Sequence, residues 1–322
     1  MKIRIKFAKY GTMKFIGHLD VMRFFQKVFR RANVDIAFSE GMSPHMILSF
    51  AAPLGLGAEG MSEYADIQIN ASVPEASAAV LPQEYVQDVL GRMNSVSVEG
   101  IEFLDFRPIP DGKASKAMSL VTAADYAVRV RPGHEPKPAP VQETSGLQTD
   151  PHGEPAQETS GLQADLHGES AAGEEVHPSM VPSTLQEWQQ LWDRFLAQPS
   201  ITILKETKKG TKEADIRPMI LEISLGKPFE ASMSAAQKDL EIHPAGGNDQ
   251  DRSMEKLTDA SGYPVIYMRL ATGSAANLKP EQVIEAFYAF AGFENDPFAV
   301  TVTRLDLYAS KEDGSLCSLG KL

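Results

Sequence analysis

In KIRIKFAKY, from Lys2 to Tyr10, basic and apolar residues alternate with the period of a strand. The period then changes. Met22, Phe25, Phe29 and Ala32 recur at spacings of three and four, with Val21 and Val28 widening the stripe, so residues 18–32 predict a helix with that face on the core. Residues 46–51 and 63–70 predict strands, EYVQDVLGRM a helix, and SVEGIEFLDFRPI a strand. A second series opens with the strand DYAVRVR and the helix STLQEWQQLWDRFLA, which starts at a Ser/Thr cap with Glu187 in its first turn. Strands follow at SITILKE, IRPMILEISL and PVIYMRLA, then a helix at KPEQVIEAFYAFAGF and a last strand at FAVTVTRLDLY.

The first series reads βαββαβ, and the second reads βαβ, one extra strand, then βαβ. Together they predict an α+β chain of two ferredoxin-like (βαββαβ) domains in tandem, the first over residues 1–112 and the second over 113–131 and 183–322. Between the two parts of the second domain, QETSGLQTDPHGE from Gln142 recurs as QETSGLQADLHGE from Gln157. Two polar copies rich in Pro and Gly bury no core, so residues 132–182 predict a long disordered linker inserted in the second domain. His152 and His167 recur with the repeat, but two histidines on a flexible tract make a poor metal site. Residues 228–262 predict a surface insertion.

Charge changes the picture more than composition does. The net charge is -12, yet residues 132–182 and 228–262 together carry all of it, and residues 1–35 hold nine bases against Asp20 and Asp35. Such asymmetry points to an anionic partner. Arg23, Lys27, Arg30 and Arg31 fall opposite the apolar stripe of the first helix, and Lys2, Arg4 and Lys6 share one side of the first strand. These seven residues form the expected phosphate-binding set, which contacts the backbone of RNA without reading its sequence. The single cysteine, Cys317, excludes an internal disulfide and an iron–sulfur cluster held by this chain's cysteines alone, and the leading expectation is no cofactor and no metal of the chain's own. No apolar run reaches the length of a membrane span and the N-terminus lacks the apolar core of a signal peptide, which predicts a cytoplasmic chain without membrane contact.

Candidate chemistry centres on residues 17–60. His18 and Asp20 open the helix, where Asp20 complements the positive helix end and His18 caps or packs. Two alternatives are a base–acid pair of His18 and His45 cleaving RNA without metal, and a metal held by His18, Asp20 and His45. Around SEGMSPHMILSF, Gly41 permits a positive φ, Pro44 sets a bend, and Ser43 and His45 flank it. Gly55, Gly57 and Gly60 leave backbone that a ligand can approach closely. No GxGxxG and no GxxxxGK[ST] occurs.

GTMKFIGHLDVMRFFQKVFRRANVDIAFSEGMSPHMILSFAAPLGLG followed by EYADI resembles the radical-SAM-linked protein family, also catalogued as domain of unknown function 2344. KEADIRPMI from Lys212 and GSAANLKPEQVIEAF from Gly273 resemble its C-terminal part, which marks Lys212, Asp215, Arg217, Asn277 and Lys279 in the second domain. The chain departs from the family pattern at Ser43, where Asn is expected, and at Ile47, where a base is expected. The resemblance implies a partner, a radical SAM protein with a cobalamin-binding-type domain, and a role in RNA metabolism or modification. With no CxxxCxxC of its own, the chain is expected to be a non-catalytic accessory module that binds structured RNA, tRNA or rRNA. The alternatives are a protein-interaction subunit docking on that enzyme without RNA contact, and a metal-independent endoribonuclease using His18 and His45.

Overall fold

A computed structural model describes residues 1–70, 80–112, 115–140, 181–207, 210–243 and 262–322. Strand β1 (Lys2–Lys9) leads through helix α1 (His18–Arg31) to β2 (Leu48–Phe50) and β3 (Glu59–Gln68), and α2 (Gln83–Ser95) leads to β4 (Ile101–Ile109). β1 pairs antiparallel with both β3 and β4, and β2 pairs antiparallel with β3. After the short α3 (Ala117–Leu120), β5 (Val121–Val130) and α4 (Leu185–Leu196) lead to the hairpin β6 (Thr202–Thr207) and β7 (Gly210–Asp215). Then come β8 (Ile220–Leu225), α5 (Met233–Ile242), β9 (Ile266–Ala271), α6 (Pro280–Ala291), β10 (Val300–Ser310) and β11 (Leu316–Ser318). In this half β5 lies between β10 and β9, and β8 borders β9, all antiparallel.

The two series do not end in separate sheets. β10 runs parallel to β3 through Thr303↔Glu59 and Arg304↔Gly60, closing one sheet of order β4-β1-β3-β10-β5-β9-β8. The outer edge of β3 is shared: its start faces β10 and its end, from Ala65 to Ile67, faces β2. β11 pairs with β10, and β6 and β7 stand apart as their own two-stranded sheet. SITILKE, expected as a strand of the second ferredoxin-like series, pairs only with GTKEAD, whose polar, exposed residues carry no alternation that would betray a strand. IRPMILEISL becomes a strand only from Ile220, because residues 217–219 form a 3₁₀ turn around Pro218, which has no N–H to give a ladder.

Helices α1 and α2 bury Val21, Phe25, Val28, Phe29, Val89 and Met93 against Ile3, Ile5, Phe7 and Phe103. Phe25 is the hub, edge-on to Phe7, Phe50 and Phe103 at 4.8, 5.1 and 5.0 Å. In the other half Trp192 of α4 stacks on Phe287 of α6 at 3.9 Å over Tyr126, Val128 and Met268. α4 starts as its sequence predicts, Thr184 Oγ1 accepting from Glu187 N–H and Glu187 accepting from Thr184 N–H. Strand alternation puts Ala127, Tyr267 and Leu305 on the opposite side of the sheet, where Ala236 of α5 covers them together with Met61.

Two expected boundaries shift. Residues 228–243 are not a surface insertion: they pack as α5 on the sheet, while the rest of that stretch, 244–261, lies outside the described residues. Residues 132–140, expected in the linker, are tied down by the bridge Pro138↔Phe293 and by Ala139 N–H donating to Gly292 O. The repeats themselves fall within 141–180, outside the described residues.

The parallel seam is only two residue pairs long, so side chains lock it. Arg304 Nε donates to Glu63 Oε1 at 2.8 Å, its NH2 to Glu63 Oε2, and the same NH2 to Ala52 O at 2.8 Å. Both partners are buried. A Cβ on Gly60 would meet Glu63 Oε1 at 2.5 Å, so glycine there leaves room for the carboxylate to lie over the strand. Glu63→Gln leaves a buried guanidinium without its anion and is expected to lower unfolding free energy by about 3–5 kcal/mol. Arg23→Gln, on an exposed surface, should change it by no more than about 0.5 kcal/mol. Urea midpoints of the two variants check this contrast, and equal small losses would mean that the seam does not depend on the pair.

Candidate functional site

α1 divides cleanly into two sides. Val21, Phe25, Val28, Phe29 and Ala32 are buried, as the spacing predicts, while Met22 is only half-buried at the edge of the stripe. Arg23, Lys27, Arg30 and Arg31 are exposed on the other side. Arg23 pairs with Asp20 at 3.0 Å, one turn away. For Lys27, Arg30 and Arg31 no acidic partner occurs among the described residues.

The strand cations do not join this stripe. Ile3, Ile5 and Phe7 face α1, so Lys2, Arg4 and Lys6 point to the opposite side of the sheet. Arg4 is 2% exposed and holds Asp66 through Nε at 2.9 Å and NH2 at 3.3 Å, with Ser115 O and Leu319 O as further acceptors. It belongs to the joint between the halves, because Asp66 also accepts from Ala117 N–H at 2.7 Å. Lys2 pairs with Asp111 at 3.3 Å at the surface, and Lys6 is half-buried.

His18 and His45 are not hydrogen-bonded to one another. His18 packs edge-on against Phe50 at 5.1 Å, and His45 Nδ1 shares a hydrogen bond with Ser39 Oγ at 2.8 Å. Ser39 also accepts from His45 N–H, so the pair closes the loop that carries Gly41, Ser43 and Pro44, all exposed. Gly41 has φ 109° and Gly57 φ 84°, the left-handed conformations expected of glycine turns. Gly57 N–H donates to Lys14 O at 2.9 Å, and Gly55 is exposed in the same loop. In the second half Asp215 accepts from Ile201 N–H and Arg217 N–H, which hold its carboxyl below the usual range. Arg217 Nε donates to Leu196 O at 2.9 Å, so both residues join the end of α4 to the hairpin. Lys212, Asn277 and Lys279 are exposed.

What periodicity did not single out is a recess at the start of α1, lined by Phe7, Lys9, His18, Phe50, Leu54 and Glu63. Ordinary alternation puts Lys9 on the helix side of β1 with Ile3, Ile5 and Phe7, and the extra residue between their partners lies in β3, where Phe7 faces Glu63 and Lys9 faces Gly60. Ten charged residues are buried among the described ones, and nine have hydrogen-bonding partners. Lys9, 3% exposed, has none. Burial pushes its ammonium below the usual lysine range, opposed by the Glu63 and Glu59 carboxylates and reinforced by the Arg304 guanidinium. The sequence signal was there: in Lys2, Arg4, Lys6, Lys9 the fourth base breaks the alternation.

On the other side of the sheet Glu59, Asp239 and His243 offer ligand atoms within 4.8 Å of one another, the one such trio among the described residues; His18, Asp20 and His45 do not converge. Glu59 Oε1 accepts from Gly11 N–H at 3.0 Å and Lys14 Nζ at 3.3 Å, Oε2 bonds His243, and Asp239 Oδ2 accepts from Arg129. Lys14 and Arg129 already balance the two carboxylates, so a divalent ion would bring uncompensated positive charge into a buried cluster. Burial alone would raise the Glu59 carboxyl; the His243 hydrogen bond, with the charges of His243 and Lys14, outweighs it and leaves it below the usual range. Because this lowers the folded value below the unfolded one, ionised Glu59 stabilises the fold above about pH 4.5 and stops doing so as pH falls through the lowered value. Glu59→Gln should therefore be less stable than the parent at about pH 6, with the gap closing toward about pH 3, read from urea midpoints across that range. A gap independent of pH would contradict the assignment.

A search of curated proteins found no match. A family model described as an uncharacterized protein conserved in bacteria (DUF2344) matches residues 2–280. Those residues take in β1 through β9, α1 and every residue that lines the Lys9 recess, and the chain belongs to the DUF2344 family.

Proposed function

We propose that this chain is a non-catalytic accessory module that binds structured RNA, tRNA or rRNA, along the outer side of α1. In this reading it works in the cytoplasm beside a radical SAM enzyme with a cobalamin-binding-type domain, in RNA metabolism or modification. One observation carries it. Among the described residues Lys27, Arg30 and Arg31 stand exposed and without acidic partners on a helix whose inner side is packed, which leaves their charge open to an external anion. Phosphate contacts from such a stripe give affinity and orientation, not sequence selection. The orders β4-β1-β3-β2 and β10-β5-β9-β8, each antiparallel throughout, support reading the sheet as two fused ferredoxin-like halves, an arrangement often used as an RNA-binding platform. A single cysteine, Cys317, assigns any radical chemistry to the partner.

A second reading is a subunit that docks on that enzyme without touching RNA. It is favoured by Phe15, Leu19 and Leu56, all at least 65% exposed on segments that meet where Gly57 bonds Lys14.

Changing Arg23, Lys27 and Arg30 together to Gln should leave the fold intact. Each lost phosphate contact should flatten the dependence of log affinity on log salt by about 0.7–0.9. Titrations of the full chain with tRNA and rRNA fragments over a salt series measure this. An unaltered slope, or no binding at all, would overturn the RNA reading and leave docking.

A further inference from the structure

We propose that Phe15 is a stacking platform for an unpaired nucleotide at the end of the basic stripe of α1, so that the RNA taken by this chain carries a single-stranded end or loop beside its duplex. The inference rests on the RNA reading and deepens it: the stripe holds phosphates, and the ring selects where along an RNA the stripe engages.

Phe15 is 65% exposed and ends a 3₁₀ turn, Gly11–Phe15, that is held from both sides. Tyr10 N–H donates to Gly100 O at 2.8 Å, Gly11 N–H to Glu59 Oε1 at 3.0 Å, and Lys14 O accepts from Gly57 N–H at 2.9 Å. Lys14 Nζ, anchored on Glu59 at 3.3 Å, lies over the Phe15 ring at 5.6 Å. A large ring left in water on a segment fixed in this way is preorganised for a flat partner, which loses little entropy in meeting it. The Gly57 bond brings Leu56, 72% exposed, to the same corner, and Leu19, 65% exposed, follows four residues after Phe15 in the first turn of α1. Four residues of chain put the Cα atoms of Phe15 and Leu19 at most about 14 Å apart.

Charge decides what covers this corner. At about 100° per residue, Leu19, Arg23, Lys27 and Arg30 fall within about 80° of one another on the outer side of α1, so the apolar corner runs directly into the basic stripe. The one acid of α1, Asp20, is taken up by Arg23 at 3.0 Å, and Lys27 and Arg30 have no acidic partner among the described residues. A partner that joins flat apolar rings to anionic groups at short intervals matches both parts. An unpaired nucleotide does so, because its base offers a π face while its own and neighbouring phosphates meet the cations. A positively charged track with aromatic side chains on which bases stack is the general way single-stranded nucleic acid is held. An aliphatic protein surface would use Leu19 and Leu56 as fully as Phe15 and would gain nothing from the cations.

An RNA hairpin and the same hairpin with a short single-stranded extension, each titrated into the full chain, test this. The extended hairpin is expected to bind about tenfold more tightly. Phe15→Leu, which keeps an apolar side chain but no ring, should lose that preference, while Phe15→Trp keeps it and Leu19→Ala changes it little. The salt slope should be the same in the parent and in Phe15→Leu, because no phosphate contact is removed. On the unmodified chain, 2-aminopurine at an unpaired position of the extension should change its fluorescence on binding, and the same probe inside the duplex should not. That arm needs no variant. A preference absent from the parent, or one that survives in Phe15→Leu, would overturn the inference and leave the phosphate stripe standing. Binding of neither hairpin would overturn both. Equal loss of the preference in Phe15→Leu, Phe15→Trp and Leu19→Ala would also overturn it, since the corner would then act as an apolar docking surface and not through a ring.

Discussion

The union of the two halves rests on buried ionic and polar side chains more than on backbone pairing. β3 and β10 share two residue pairs, too few to fix two halves of this size against each other. Arg304 and Glu63 supply what the ladder does not. A buried pair stabilises only when its hydrogen-bonding capacity is filled, because desolvation otherwise cancels the attraction. Here Glu63 has both oxygens engaged and Arg304 adds a third acceptor, Ala52 O. The same pattern repeats nearby. Tyr64 and Ser318 donate to the two oxygens of Asp306, and Arg4 with Ala117 N–H fills Asp66. All but the Ser318–Asp306 bond join segments at least 51 positions apart in sequence, so they fix how those segments align.

α5 extends this logic to the other side of the sheet. It buries only Ala236 and Asp239 and adds little apolar area. Its place is set by three ion pairs to three strands: Lys238 to Glu102 on β4, His243 to Glu59 on β3, and Asp239 to Arg129 on β5. Two of those strands belong to the first half and one to the second, so the helix spans the same joint that Arg304 closes from the opposite side. Apolar packing builds each half, and charge aligns them.

That division explains what could be read in the sequence. Periodicity located α1, α4, α6 and the strands that pack on them, because Phe25, Trp192 and Phe287 recur where a helix needs them. It missed α5, where MSAAQKDLEI has only a weak apolar stripe and its packing depends on charges whose partners lie up to 184 positions away. It grouped Lys2, Arg4 and Lys6 correctly by side but could not tell that Asp66 waits opposite Arg4. Alternation reveals which residues share a side, not what lies across from them. For the site, the basic outer stripe of α1 was legible as residue type and spacing. The Lys9 recess was not, since it is built with Glu63 of β3, whose carboxylate is claimed by Arg304 from the far end of the chain.

The Lys9 recess and the seam are therefore one construction. Arg304 takes both oxygens of Glu63, and in doing so it joins the halves and leaves Lys9 near that carboxylate but without a hydrogen bond to it. Had Lys9 taken that carboxylate, Arg304 would be the unpaired group, and a guanidinium cannot shed its proton to relieve burial. A lysine can. The arrangement thus puts the guanidinium in the fully engaged pair and the weaker cation, whose pKa burial lowers and the Glu63 and Glu59 carboxylates raise, at the start of α1.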